Sequence, residues 1–233
     1  MSELIAVYQE HLTEWLPQLL EAAGNTLRMT AFSFVLAFIV GLLLALAKLS
    51  SIRPLRVFAS GYIEVMRGIP SLAILFLIYF GLADFGEIAI GPFEISLVLD
   101  AFPAAVIGFG LNGAAYMAEI FRAGILSIHA GQMEAALTVG MTPLSAMRWV
   151  ILPQALRVVL PPLANFGIAL LKDTSVASII SAPELMLRAR DLASSSFLPM
   201  EVFLLAAAIY LVMSLPVSFL TRHLEARFSR GQV

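Results

Sequence analysis

The sequence predicts an all-α integral membrane protein, and three observations lead to this fold class. Hydrophobic residues make up 60% of the 233 positions and charged residues only 13%, which is too little polar material to coat a soluble globule. Five apolar stretches are each long enough to cross a hydrocarbon core of roughly 30 Å as a helix. Lys and Arg collect on alternate connections between these stretches, as is typical of multi-pass membrane proteins.

The five predicted spans differ in their polar content. Span one lies between Arg28 and Lys48 and is uncharged. The other four cover approximately residues 57–83, 102–125, 150–171 and 202–221. Ionisable side chains occur inside the second and third spans, and three prolines interrupt the fourth. Intramembrane charges are costly, so spans two and three are expected to carry function.

The segment before span one is acidic. Its charged residues are Glu3, Glu10, Glu14 and Glu21, with no Lys or Arg among the first 25 positions. A cleaved signal peptide has the opposite charge at its start, so we expect the segment to be retained. We expect an amphipathic helix on the membrane surface, with Trp15 as an interfacial anchor.

Charge placement predicts an extracytoplasmic N-terminus and a cytoplasmic C-terminus. Basic residues follow spans one, three and five: Lys48, Arg53, Arg56, Arg122, Arg148, Arg222, Arg227 and Arg230. The connection between spans two and three is acidic, with Asp84, Glu87, Glu94 and Asp100. The segment after span four has both signs of charge. An odd number of spans fits this pattern best, with one membrane domain over residues 1–233.

Composition also excludes several functional classes. No long basic run is present, so a nucleic-acid partner is not expected. Cysteine is absent and the three histidines are scattered, which removes thiolate chemistry and any recognisable metal-ligand pattern. The chain has no Gly-rich phosphate loop ending in Gly-Lys-Ser or Gly-Lys-Thr, so it is not expected to hydrolyse ATP itself. An intramembrane enzyme ranks last, because no hydrolase elbow or metal pair is present.

Residues 129–142, between spans three and four, predict a short helix on the cytoplasmic face. Glu134 lies near the positive end of its dipole, and Gly140 is suited to end it. Ala135 and Ala136 leave room for the backbone of another protein. These features are typical of a docking helix.

A second helix is predicted immediately afterwards. Thr142 is a good N-cap and Pro143 suits the first helical position. Any surface helix between two spans can share these features. The residue types alone therefore leave a docking helix and a plain surface helix equally open.

The spacing of the loop resembles a known signature. Glu-Ala-Ala, three residues and Gly at 134–140, followed by Ile-Leu-Pro at 151–153, is similar to the loop of permeases in ATP-binding-cassette (ABC) importers. The resemblance covers most of residues 25–225, and it extends through residues 66–70, 113–122 and 171–175. The combination resembles the polar amino acid subfamily. A secondary transporter is the alternative, but it would be expected to show inverted repeats, and the loop argues against it.

The resemblance implies a non-catalytic permease subunit in a bacterial inner membrane. In such importers a short coupling helix, here represented by Gln132, Glu134, Ala135, Ala136 and Gly140, sits in a groove of the ATPase. The implied partners are two ATPase subunits that hold ATP and Mg, a second permease subunit and an extracytoplasmic substrate-binding protein. No cofactor is implied in this chain. An identical second permease and a paralogue both stay open.

Four positions depart from the family pattern. Ile69 and Ile74 stand where relatives usually have Thr and Gln, so a polar contact available in relatives is missing. His129 and Ala130 replace a pair that commonly contains proline.

Charged and polar side chains inside the membrane are the candidate substrate-binding residues. Arg67 is eleven positions beyond Arg56, which places it roughly 16 Å along span two and close to mid-membrane. Asn112, Tyr116 and Glu119 are spaced by four and three residues, so they share one helix face.

A zwitterionic amino acid offers a carboxylate to N–H donors and an ammonium to oxygen acceptors. Arg67 and Glu119 supply these two ends. The resemblance adds Asp173, Thr174 and Ser175, because in the family this segment helps line the substrate cavity. The cargo within the class stays open and includes basic, acidic and amide amino acids and opines.

Self-pairing within one helix is the competing interpretation of these charges. Glu64 and Arg67 stand at i and i+3, as do Glu119 and Arg122. Lys172 is expected to extend to the membrane interface and is not assigned to the site.

Overall fold

A computed structural model describes residues 2–90 and 93–228. That part of the chain forms eight helical segments and one β-hairpin. The helices are α1 Ser2–Leu49, α2 Arg53–Gly68, α3 Ser71–Asp84, α4 Ala101–Leu126, α5 Ala130–Thr138, α6 Pro143–Ile180, α7 Leu185–Ser196 and α8 Pro199–Phe228. The strands are β1 Glu87–Ile90 and β2 Phe93–Ser96. A π-helical turn interrupts α3, another lies near the start of α6, and α6 ends in a 3-10 segment.

The strict all-α prediction is wrong in the acidic connection between α3 and α4. There β1 and β2 pair antiparallel, with Glu87 opposite Ser96 and Ile90 opposite Phe93. Each strand has only four residues and contains Ile, which favours extended structure. Such short strands do not stand out from a loop in a hydropathy profile.

In the described ranges, four helices are individually long and apolar enough to cross a membrane: they lie within Val7–Leu49, Ala101–Leu126, Pro143–Ile180 and Pro199–His223. A fifth apolar element consists of α2 and α3, which are bent by 105° at the break between them. The second predicted span is therefore a broken helix. Pro70 lacks an N–H and disfavours helical geometry in the residue before it, and Ile69 is accordingly extended, with φ −100° and ψ 132°.

The N-terminal segment is joined to span one in a single helix. The prediction that Trp15 is an interfacial anchor is wrong, because its side chain is only 2% exposed. It stacks on His11 with ring centroids 4.8 Å apart. It belongs to a buried cluster with Leu185 on α7 and Val202 on α8. The acidic side chains at positions 10, 14 and 21 are exposed, whereas Trp15 and Leu19 are buried against other helices. The apolar face of this segment is therefore covered by protein.

Close contact between α1 and α4 forms the centre of the bundle. Gly41 on α1 faces Ala114 and Met117 on α4. A methyl group at position 41 would lie 2.8 Å from Cβ of Met117 and 2.9 Å from the carbonyl oxygen of Ala114. Ala118 and Ala37 pack in the same cluster, so small side chains let the two helix backbones approach each other.

A buried polar cluster connects α1, α7 and α8. The Glu184 side chain, 1% exposed, accepts hydrogen bonds of 2.8 and 2.6 Å from two backbone N–H groups in the first turn of α7. It also accepts one from the Tyr210 hydroxyl at 2.8 Å, while the Thr26 hydroxyl oxygen accepts one from the Leu185 N–H at 3.0 Å. Burial raises the pKa of Glu184, and the three hydrogen bonds that its carboxyl group accepts, from Met186, Leu187 and Tyr210, oppose the rise.

We predict that Gly41→Ala destabilises the fold by about 1–3 kcal/mol, because the added methyl group overpacks the α1–α4 contact. Gly24→Ala is the matched control on the same helix, since its added methyl group would have no described atom within 4 Å apart from its chain neighbours and the backbone of its own helix turn. It should be neutral or stabilising by up to about 1 kcal/mol. Thermal unfolding of the purified proteins in detergent measures both. Equal melting temperatures for the two variants would contradict the packing argument.

Candidate functional site

Two clefts lie between α2, α4 and α6. The first has a volume of about 490 Å³, and four of the predicted site residues line it: Arg67, Asn112, Tyr116 and Asp173. The second has a volume of about 540 Å³ and is lined by Glu119 among others. Arg67 and Tyr116 line the second cleft as well, whereas Asn112 and Asp173 line the first cleft and not the second.

The break between α2 and α3 places Arg67 at the first cleft. Arg67 lies in the last turn of α2, and its guanidinium carbon is 5.6 Å from the ring centroid of Tyr116. This is a cation–π contact. Among the described residues, no ion pair joins Arg67 to Glu64, so the self-pairing interpretation does not hold for this helix.

Asn112 fixes α4 against the end of α2. Its amide nitrogen donates to the carbonyl oxygen of Met66 at 2.7 Å. Tyr62 donates from its hydroxyl to the carbonyl oxygen of Leu111 at 2.9 Å. The two bonds hold the last turn of α2, which carries Arg67, beside the middle of α4.

Glu119 is paired with two cations. Its Oε1 lies 2.7 Å from Nζ of Lys48, and its Oε2 lies 2.8 Å from a terminal nitrogen of Arg122. The self-pairing interpretation thus holds for Glu119 and Arg122. Lys48, on α1, is a partner that sequence reasoning missed, because the two residues are 71 positions apart.

Asp173 and its two neighbours have different surroundings. Asp173 lines the first cleft, whereas Thr174 and Ser175 line neither cleft. The Thr174 hydroxyl is buried and donates to the Leu171 carbonyl at 2.8 Å, and Ser175 donates to the Lys172 carbonyl at 2.7 Å. Both bonds reach back three residues, which is typical of hydroxyl side chains at a helix end.

Aromatic side chains complete the walls of the first cleft. Phe109 and Phe166 line it, and the rings of Phe166 and Tyr116 have centroids 6.3 Å apart with an interplanar angle of 26°. Sequence reasoning missed both phenylalanines. The available signal was spacing, because Phe166 lies seven residues before Asp173, two turns along the same helix face.

The loop between α4 and α6 contains the predicted short helix, α5. Its N-cap is His129, whose Nδ1 accepts a hydrogen bond from the Gly131 N–H at 3.0 Å. The helix thus begins at Ala130. Gly140 follows it with φ +87°, a conformation that glycine adopts readily.

The outer face of α5 is exposed. Gln132, Glu134 and Ala135 face outward, whereas Ala136 packs inward. Large apolar side chains around the helix are also exposed: Leu137 43%, Val139 78%, Leu144 79% and Trp149 67%. The predicted N-cap at Thr142 is confirmed, since its hydroxyl oxygen accepts from the Ser145 N–H at 3.2 Å.

Comparison with known proteins identifies consistent relatives. Residues 27–230 match the model of a family described as binding-protein-dependent transport system inner membrane component. The chain is 45% identical to the probable amino-acid ABC transporter permease protein PatM of Vibrio harveyi over 200 residues, 86% of each chain. It is 40% identical to the L-cystine transport system permease protein TcyB of Bacillus subtilis strain 168 over 206 residues, 88% of this chain and 84% of that one.

A solved structure shares the fold. The crystal structure of an amino acid ABC transporter with histidines contains a chain that is 39% identical, with a TM-score of 0.84. The alignment covers 93% of this chain and 96% of that chain.

We predict that Glu119→Gln lowers stability by about 1–3 kcal/mol, because Lys48 and Arg122 lose the carboxylate that both contact. Glu64→Gln is the control, since Glu64 is exposed on α2 and has no ion pair in the described part of the chain. Thermal unfolding in detergent measures the difference. A melting temperature for Glu119→Gln equal to that of Glu64→Gln would show that the ion cluster contributes nothing.

Proposed function

Because the chain belongs to the family of binding-protein-dependent transport system inner membrane components, we propose that it imports a polar amino acid or a related small zwitterion, such as an opine, as the permease subunit of an ATP-driven transporter. It is a multi-pass membrane protein. The main support for a zwitterionic cargo is the first cleft, because the guanidinium of Arg67 and the carboxylate of Asp173 line the same space. Relatives named for amino-acid and L-cystine transport support the same cargo class.

The chemistry of the first cleft suits a zwitterion. Arg67 presents a planar fork of N–H donors that fits a carboxylate, and Asp173 presents oxygens to an ammonium group. Asp173 is better placed than Glu119 for the ammonium, since Glu119 already contacts two cations. The rings of Phe109 and Phe166 supply apolar walls for the cargo side chain. A volume of about 490 Å³ lies within the usual range for small-molecule sites.

In our proposal the chain has five spans in one domain, with the broken α2–α3 pair as the second span. The N-terminus is outside and the C-terminus is inside. Four apolar helices and the bent pair support this count, and the Lys and Arg residues of alternate connections support the orientation. This arrangement places α5 on the cytoplasmic side. A secondary transporter is not favoured by the family membership.

The proposed partners are two ATPase subunits that bind ATP and Mg, a second permease subunit and an extracytoplasmic binding protein. The exposed outer face of α5 supports the ATPase contact, with Glu134 as a polar contact and Ala135 as a point of close approach. The apolar residues around it, Leu137 and Val139, would otherwise face water. In this proposal, the movement of the ATPase subunits during ATP hydrolysis is transmitted to the permease through α5.

We predict that Arg67→Ala abolishes most uptake, because the cargo carboxylate loses its charged donor. A loss of about 2 kcal/mol corresponds to about thirtyfold weaker binding. Uptake of radiolabelled arginine, glutamine, histidine and cystine into proteoliposomes containing the complete transporter measures the effect. Arg157→Ala is the control, because Arg157 is exposed and lines neither cleft. Wild-type uptake by Arg67→Ala, with ATPase coupling unchanged, would refute the assignment.

We predict that Glu134→Lys reduces assembly with the ATPase, because it reverses the charge of a contact on the docking face. Co-purification of the ATPase with a tagged permease measures this. Glu14→Lys is the matched control, since Glu14 is exposed on α1 in the segment assigned to the opposite side of the membrane. Normal co-purification of Glu134→Lys would count against the docking role of α5.

A further inference from the structure

Three side chains line both clefts: Arg67, Tyr116 and Phe166. They come from α2, α4 and α6, one from each helix. Arg67 lies over the Tyr116 ring at 5.6 Å, and Tyr116 stacks beside Phe166 at 6.3 Å. The three groups thus form one continuous stack across the space between the helices.

The clefts follow one another along the same pair of helices. On α4 the first cleft is bordered by Phe109 and Asn112, and the second by Glu119 and Ala123. Ser127, just after the end of α4, also lines the second cleft. On α6 the order is reversed, with Ala169, Leu170 and Asp173 at the first and Val158 and Pro162 at the second. From Asn112 to Ala123 the helix rises roughly 16 Å, so the stack lies between two successive spaces on one path.

The Phe166 ring packs closely against α4 at Gly113. Position 113 is glycine, and a methyl group there would lie 2.9 Å from Cζ of Phe166 and 3.1 Å from Cβ of Ala37. Phe34 contacts the ring from α1, with centroids 6.5 Å apart. Phe166 is therefore packed on two helices, whereas Arg67 is exposed and contacts the Tyr116 ring without a side-chain hydrogen bond or ion pair to any other described residue.

We propose that Phe166 separates the two clefts, with Arg67 and Tyr116 completing the partition, and that cargo crosses it on the way to the cytoplasm. This inference rests on the proposed function, in which the zwitterion binds in the first cleft. A carboxylate makes stronger, charge-assisted bonds to a guanidinium than an aromatic face does. Cargo binding therefore draws Arg67 away from Tyr116 and loosens the partition when the first cleft is occupied.

Cysteine accessibility tests the partition directly, because the chain contains no cysteine. Ser71→Cys reports on the first cleft and Ser127→Cys on the second. A membrane-impermeant quaternary ammonium methanethiosulfonate is applied to right-side-out and to inside-out vesicles from cells that produce the complete transporter. With Phe166 intact, neither side of the membrane should give access to both reporters. With Phe166→Ala, one side should give access to both.

Two variants control for loss of packing. Phe166→Trp keeps a large ring and should retain the separation, and Phe32→Ala removes an exposed ring of α1 that lines neither cleft and should retain it also. Phe166→Leu provides the same comparison if Phe166→Ala does not accumulate in membranes. Access to both reporters from one side in the Phe166-intact protein would overturn the proposal, as would unchanged access in the truncated variants.

The thiol reagent reports access and requires no knowledge of the cargo. A failed partition therefore leaves the uptake result for Arg67→Ala unaffected. Conversely, loss of the amino acid assignment would leave the accessibility pattern unchanged. The two proposals thus fail independently.

Discussion

The break at Pro70 determines the geometry of the clefts. Without an N–H to continue the helix, the chain passes through an extended Ile69 and turns by 105°. The last turn of α2 then lies beside the middle of α4, where Asn112 and Tyr62 hold it with two hydrogen bonds. Residues of the break itself, Ile69, Pro70 and Ser71, line the first cleft beside Arg67.

The charged groups of the bundle differ in how far their hydrogen-bonding capacity is used. Glu119 has a cation on each carboxylate oxygen, and the carboxyl group of Glu184 accepts three hydrogen bonds. In a medium of low dielectric, such pairing offsets the cost of removing a charge from water. Arg67 differs because its described contact is an aromatic face, which leaves its N–H donors available for a ligand. This difference supports a binding role for Arg67 and a structural one for Glu119.

Local features were predictable from the sequence, whereas long-range contacts were not. The helix at residues 130–138 and the Thr142 cap depend on neighbouring residues, so the sequence pattern was sufficient. The prediction for Trp15 was wrong because its partners lie on α7 and α8. The assignment of Glu119 was incomplete because one of its partners, Lys48, lies on α1. Asp173, Thr174 and Ser175 are adjacent in sequence, yet a helical turn sends their side chains in different directions. Hydropathy also could not separate a straight span from one broken at Pro70.

The continuity of α1 has a mechanical consequence. Its first half packs through Trp15 against α7 and α8, and its last turn pairs through Lys48 with α4. These two attachment points are 33 residues apart, or roughly 50 Å of helix. Because hydrogen bonds along a helix resist stretching and compression, that length is nearly constant. Displacement of α1 at either Trp15 or Lys48 must therefore tilt or bend the helix. The parts of the bundle that contact its two ends are consequently not free to move independently.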